Sequence, residues 1–479
     1  MTNKSSNAVK ASIGYTLGNY FIKGISFITI PVFSRILSTS DFGIFNTFIA
    51  YEQMLYIFIC LGLHVSLQNA DLKFPGKIDE YTSSVALYPF VIHLILLLIS
   101  FIFRNSLSRI IGLPELVIPM LIIYSYCSGL LILYQQRLAL DYNYSKFVWL
   151  SGLNVVLNVS ISIILIVFVF SEDKYFGRII GGTSAYIIVA LVVLFLLYKR
   201  SQPTLDFNYI RYGLRISLPI IPHGLAQIIL MQFDRIMINT VVGNSEAGLY
   251  SFAYTLYALV QITATSLDTV FSPWTFKRLR NNEQNDVIRI GTCFMLLVSG
   301  IVSTVMLLSP EIIILFGGEK YRNTFACVLP ILFAGFFSMT YCIPSVIEYY
   351  YEKTNYIAVG TMAAAILNII LNSLFIPKFG YVAAAYTTLF SYIVYFILHY
   401  TVAKKLSGFY IIKPLILVIG LFFVLSAFGV STLLYKNFLC RVIAAIVFDI
   451  LGSLVLIKIY GQKEIVSTLL SLLKKGESI

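Results

Sequence analysis

Apolar residues run along this chain in long blocks, and the polar residues are mostly confined to the short gaps between blocks. A membrane-spanning helix needs about 20 mostly apolar residues. Fourteen windows meet that length, at roughly 12–33, 43–66, 82–103, 116–136, 147–170, 176–198, 216–240, 247–271, 288–309, 326–349, 355–376, 380–402, 414–432 and 441–459. Two of them are interrupted: 12–33 by Lys23, and 216–240 by Pro219, Pro222, Asp234 and Arg235. The pattern predicts an all-α integral membrane protein of about 14 transmembrane helices.

Composition removes the alternatives. Of 479 residues, 58% are hydrophobic and 12% are charged, against roughly a quarter charged in a soluble domain. Too few polar groups exist to cover a water-exposed surface, which excludes soluble, disordered, collagen-like, disulfide-framework and nucleic-acid-binding classes. The net charge of +12 is explained by sidedness. With the amino terminus in the cytoplasm, 22 Lys and Arg fall on the inner side and 10 on the outer, Arg178 and Arg441 among these at the ends of their windows, with Lys23 and Arg235 inside spans. Such a bias places both termini inside. The first apolar stretch is too long for a signal peptide, contains Lys23 and lacks a small-residue cleavage site, so it reads as a retained first helix.

The chain offers little for bond-making chemistry. Its six cysteines show no C-x-x-C and sit mostly in apolar runs, and its four histidines share no ligand spacing, so neither a metal nor a cofactor is expected. Loops are short, none could fold as a catalytic domain, and no nucleotide-binding G-x-x-x-x-G-K-[ST] occurs. The expectation is a protein that is not an enzyme.

Self-comparison shows a duplication. Ser40-Asp41-Phe42-Gly43-Ile44-Phe45 opens the second span and Ser245-Glu246-Ala247-Gly248-Leu249-Tyr250 opens the eighth, an offset of 205. Ser and an acid suit a helix amino terminus, as cap and dipole partner. Asn154 and Asn158 in span five match Asn368 and Asn372 in span eleven, and Phe176-Gly177 matches Phe379-Gly380. Each half therefore reads as six helices in one order. An even number gives the halves the same orientation, with a pseudo-two-fold axis along the membrane normal. The expected organisation is an N-lobe at 1–200 (helices 1–6), a C-lobe at 201–405 (helices 7–12), and helices 13–14 with a cytoplasmic tail at 406–479.

The residues that carry these matches also resemble a known family. Pro31-Val-Phe-Ser-Arg35-Ile-Leu37 with Asp41-Phe42-Gly43, Phe233-Asp234-Arg235-Ile-Met-Ile followed by Gly248-Leu-Tyr250-Ser-Phe-Ala253-Tyr254, and Asn368 through Gly380 with Ala383-Ala384-Ala385 look like patterns of the polysaccharide transporter (Wzx-type flippase) branch of the multidrug/oligosaccharidyl-lipid/polysaccharide exporter superfamily, which also includes the MATE-like exporters. The resemblance implies a V-shaped two-lobed bundle that works by alternating access in a bacterial cytoplasmic membrane. It implies a lipid-linked oligosaccharide as substrate, an undecaprenyl-pyrophosphate-linked repeat unit for O-antigen, lipopolysaccharide or capsule. Membrane lipids, an H+ or Na+ gradient and the polysaccharide polymerase machinery are the further partners of that reading. Two competing functions are a MATE-like drug or cation antiporter and a membrane glycan polymerase.

Charges inside spans are costly, about 2.5–3.5 kcal/mol each on insertion scales, and usually face the bundle interior. Lys23 and Glu52 lie at similar depth across the first loop, and Asp234 and Arg235 adjoin in span seven. Lys23 and Arg235 are the expected substrate-binding residues, as cations for pyrophosphate. Glu52, Asp234 and Asp268 are the ion-coupling candidates. For each, a structural ion pair or helix-joining hydrogen bond is the competing reading. Pro219 and Pro222 break the backbone ladder of span seven, which predicts a hinge. The asparagines could line a sugar cavity or join helices.

Overall fold

The computed structural model describes residues 27–460, together with Gly18, Gly24 and Ile25. Lys23 lies outside the described residues. Every described element is helical, as an apolar chain requires when its backbone groups must be paired internally. The chain divides into two compact units, Met1–Gly248 and Leu249–Ile479.

The first unit holds a short apolar helix α1 (Phe27–Ile36), then α2 (Thr39–Cys60), α3 (Leu67–Lys73), α4 (Ile78–Val85), α5 (Leu87–Ile102), α6 (Arg104–Ile111), α7 (Val117–Leu140), α8 (Tyr144–Phe168), α9 (Lys174–Arg200), α10 (Phe207–Ser217) and α11 (Ile221–Val241). A long helix, α12 (Asn244–Arg280), starts in this unit and continues into the second, which adds α13 (Gln284–Gly317), α14 (Phe325–Thr340), α15 (Cys342–Tyr350), α16 (Thr354–Phe379), α17 (Tyr381–Ser407), α18 (Pro414–Leu433) and α19 (Phe438–Tyr460). Eleven described spans are long and apolar enough to cross a membrane, or twelve if the bent pair α10–α11 is one span. The first expected window lies mostly outside the described residues. The eighth, on α12, is helical but draws its apolar character from Ala, Tyr and Phe more than from Leu and Ile.

At the start of α2, Ser38 is the amino-terminal cap and Asp41 closes a capping box with it, so the cap lies two residues before the expected Ser40. Asp41 Oδ2 accepts from the Ser38 amide at 3.0 Å and from its hydroxyl at 2.6 Å. The duplicated glycines meet here. A Cβ on Gly43 would stand 1.8 Å from the Asn244 carbonyl oxygen, and one on Gly248 would stand 1.9 Å from the Thr39 carbonyl oxygen. The hydroxyls of Thr39 and Ser245 share a hydrogen bond of 2.8 Å beside that contact. All of these residues belong to the first unit.

The helix α7 is the centre of the first unit, with 83% of its apolar window buried. Its far end carries an ion network. Arg137 contacts Asp79 at 2.8 Å and Asp141 at 2.6 Å, while Arg200 contacts the same two carboxylates at 3.2 and 2.8 Å. Burial pushes the Asp141 carboxyl up, but the hydrogen bonds from Arg137 and Arg200 outweigh it and hold the group below the usual carboxylate range. A depressed carboxyl stabilises the fold above its unfolded titration range, and that contribution is lost as pH falls through the folded one.

Span seven is broken at its prolines. The α10–α11 pair bends by 52° at residues 218–220, with Pro219 in the break and Pro222 in the first turn of α11. In the second unit α14 and α15 meet at Tyr341 and run on as one span, Glu319–Tyr350.

The periphery of the second unit is tied down by a residue that the sequence places among the outer loop charges. Arg441 lies inside α19 and is 1% exposed. Its guanidinium donates to the carbonyls of Leu307 (3.1 Å), Leu434 (2.6 Å) and Tyr435, and pairs with Glu311 on α13. Removing one partner of such a buried set leaves the others unpaired, at about 3–5 kcal/mol. Arg441→Ala is therefore expected to lower the unfolding midpoint of the purified protein, with Arg441→Lys recovering little because three donors on a point charge cannot copy the fork. Equal midpoints for wild type and Arg441→Ala would remove this role.

Candidate functional site

The polar interior of the first unit is built by four helices that are otherwise apolar. Glu52 on α2 is buried and accepts a hydrogen bond from the Ser128 hydroxyl on α7. Tyr124 on α7 and Tyr186 on α9 stand near it, and their rings pack at 4.5 Å between centroids. Asn154 on α8 is buried beside them.

Arg178 stands in the same group, one helical turn into α9. Its guanidinium lies over the rings of Phe33 (4.0 Å) and Phe45 (4.3 Å), contributed by α1 and α2. Its Nη1 donates to Asn158 Oδ1 and, at 2.9 Å, to Ser162 Oγ, both on α8. Among the described residues it forms no ion pair with a carboxylate, and its buried Nε–H has no acceptor. Neutral acceptors and aromatic faces hold the side chain without cancelling its charge. A guanidinium held in this way keeps donors for a bidentate anion such as a phosphate.

The sequence reading placed Arg178 among the outer loop charges and missed this role. A signal existed in the repeat. Arg178 follows the first Phe-Gly pair at the position where Tyr381 follows the second, so a cation appears in one copy only.

The expected site residues fall as follows. Glu52 is in the polar interior just described. Asp234 and Arg235 are both buried on α11, which packs on α2 in the first unit. Asp268 lies on α12 and accepts from the Ser272 hydroxyl at 2.9 Å, in the second unit. Pro219 and Pro222 are at the bend. Of the duplicated asparagines, Asn372 donates to Asn368 at 3.0 Å, Asn368 donates to Thr388 at 3.1 Å, and Thr387 donates to Asn372. These bonds join α16 to α17, just as Asn158 joins α8 to α9 through Arg178. Helix joining, the plainer of the two readings, is what they do. Among the described residues no cluster of His, Cys, Asp and Glu could hold a metal ion.

Comparison with known proteins adds the following. A family model described as "Polysaccharide biosynthesis protein" matches residues 8–279. A probable low-salt glycan biosynthesis flippase of Haloferax volcanii is 24% identical over 92% of this chain and 94% of its own. An uncharacterised membrane protein of Methanocaldococcus jannaschii is 20% identical over 97% of this chain and 98% of its own. Among solved structures, a lipid II flippase in an inward closed conformation superposes with a TM-score of 0.72 at 15% identity, covering 93% of this chain and 99% of that one. An inward-facing multidrug resistance transporter of the MATE family gives 0.60 at 15% identity, over 80% and 98%. At these identities the structural likeness speaks for the fold.

Proposed function

The chain belongs to the polysaccharide biosynthesis protein family, and from that premise we propose that it is a flippase that moves a lipid-linked oligosaccharide across the cytoplasmic membrane by alternating access. The observation that carries this reading is Arg178, a cation without a carboxylate partner among the described residues, held in the polar interior of the first unit. A pyrophosphate linking lipid to sugar is the part of such a substrate that most needs a partner in a low-dielectric interior. The names of the Haloferax flippase and the lipid II flippase support the same substrate class.

In the finer reading the carrier is undecaprenyl pyrophosphate and the product is a surface polysaccharide such as O-antigen or capsule. Arg178 joins Lys23 and Arg235 as the proposed phosphate contacts. Glu52, Asp234 and Asp268 remain the proposed ion-coupling carboxylates, driven by an H+ or Na+ gradient. Both termini are proposed to be cytoplasmic. Arg178 and Arg441 are helix residues, so taking them out of the outer loop count sharpens the charge bias behind that orientation.

Deleting the gene in its host tests the reading. The expected result is loss of surface polysaccharide, with complete repeat units accumulating on their lipid carrier and inaccessible from outside. Units exposed outside would move the protein to polymerisation. Unchanged polysaccharide in a strain with no second flippase would favour a drug or cation antiporter, to be sought by efflux assays.

A further inference from the structure

The second unit contains a pair of ionisable groups that glycan contact does not explain. Glu348 on α15 and His399 on α17 are both fully buried, and His399 Nδ1 lies 2.8 and 3.0 Å from the two carboxylate oxygens. Among the described residues neither makes an ion pair with Lys or Arg. His399 Nε2 is buried with no hydrogen-bond partner. The imidazole fits because residue 360 on α16 is glycine: a Cβ there would stand 2.6 Å from Nε2. Tyr341 and Tyr395 enclose the ring edge-on, at 5.0 and 4.5 Å between centroids. The Tyr395 hydroxyl is held by Thr361 of α16 at 3.1 Å. The other ionisable groups facing the pair are Tyr349 on α15 and, through Tyr349 and Cys342, Asp268 on α12.

Two ionisable groups thus share a fully buried place with no Lys or Arg beside them among the described residues. We propose that Glu348 and His399 form a proton-binding site, which takes up and releases one proton in each transport cycle. This deepens the flippase reading and rests on it for the word transport. In the unloaded pair, Nδ1–H donates to the carboxylate, Nε2 carries a lone pair, and the net charge is −1. A proton arriving at Nε2 makes an imidazolium–carboxylate pair of zero net charge, which the low-dielectric surroundings favour. Moving Glu348 away strips the imidazolium of its counter-charge and expels the proton. Pro344, three residues past Tyr341, removes one backbone hydrogen bond from the span that carries Glu348, and that is the point at which α15 can swing.

The test uses the full chain in lipid vesicles, with histidine rings labelled in 15N and no glycan present. Solid-state NMR across roughly pH 5 to 9 reads each ring's protonation state. The His399 signal is identified by its loss in His399→Asn. If that variant fails to fold, His399 is instead the one signal left when His64, His93 and His223 are replaced. The expected result is a reversible change from neutral ring to imidazolium, with its midpoint lowered by one pH unit or more in Glu348→Gln. In the host, Glu348→Gln should reduce surface polysaccharide at least tenfold at unchanged membrane level. A His399 ring in one protonation state throughout overturns the site. A titrating ring with normal export in Glu348→Gln overturns its place in the cycle. The vesicle measurement involves no glycan, so it stands even if the flippase reading falls.

Discussion

Arg178→Ala is expected to reduce delivery of polysaccharide to the cell surface by tenfold to a hundredfold while the protein stays in the membrane. A hydrogen bond to a charged group contributes about 1.5–3 kcal/mol, and about 1.4 kcal/mol is a factor of ten. The guanidinium already has Asn158, Ser162 and two aromatic faces, none of which removes its charge. Two replacements separate substrate contact from structural support. Arg178→Gln keeps a donor toward Asn158 and Ser162 but loses the charge, so it should export as poorly as alanine. Arg178→Lys keeps the charge but not the fork, so it should retain part of the activity. Surface polysaccharide measured against membrane protein level checks all three, and normal export in Arg178→Gln would end the role in anion binding.

The largest effect on stability is expected from one methyl group at the duplicated glycines. In Gly43→Ala the new Cβ would stand 1.8 Å from the Asn244 carbonyl oxygen, and in Gly248→Ala 1.9 Å from that of Thr39. Neither obstacle is a side chain that can turn aside. The two helix starts must separate by more than an ångström, which also pulls apart the Thr39–Ser245 hydrogen bond. Overpacking costs about 1–3 kcal/mol where side chains can adjust, so a backbone clash belongs at the top of that range or beyond. The double substitution should cost less than the sum, since the first Cβ already makes room for the second. Thermal unfolding of the purified variants reads both effects. A Gly43→Ala protein with the wild-type midpoint, or strictly additive losses, would contradict the contact.

These glycines also show what was legible in the sequence. The repeat marked them, because a motif that occurs twice stands out even when its purpose is hidden. Pro219 and Pro222 were equally legible, since proline breaks a helix by local sterics wherever it sits, and the bend is there. The asparagine pairs were found, although only the structure decides between a sugar lining and helix joining. Arg178 and Arg441 read as outer charges for a shared reason. Each stands within a turn or so of a span's end, where a charge is ordinarily solvated, and only tertiary packing encloses it. The pairing of Glu348 with His399 leaves no local trace, because 51 residues separate them. The helix cap moved by two residues because both Ser38 and Ser40 satisfy the local preference, and only Ser38 has Asp41 at the reciprocal position.

The last two helices bear on how this protein behaves outside a cell. Only 11% of the apolar window of α19 is buried within the chain, and 28% of that of α18. Most of the surface of both helices therefore faces away from the rest of the chain. Bilayer thickness and detergent choice act on that surface directly, while the well-buried α7 is shielded from them. Extraction into a short-chain detergent should loosen α19 first, with Arg441 as the pin that keeps it on α13.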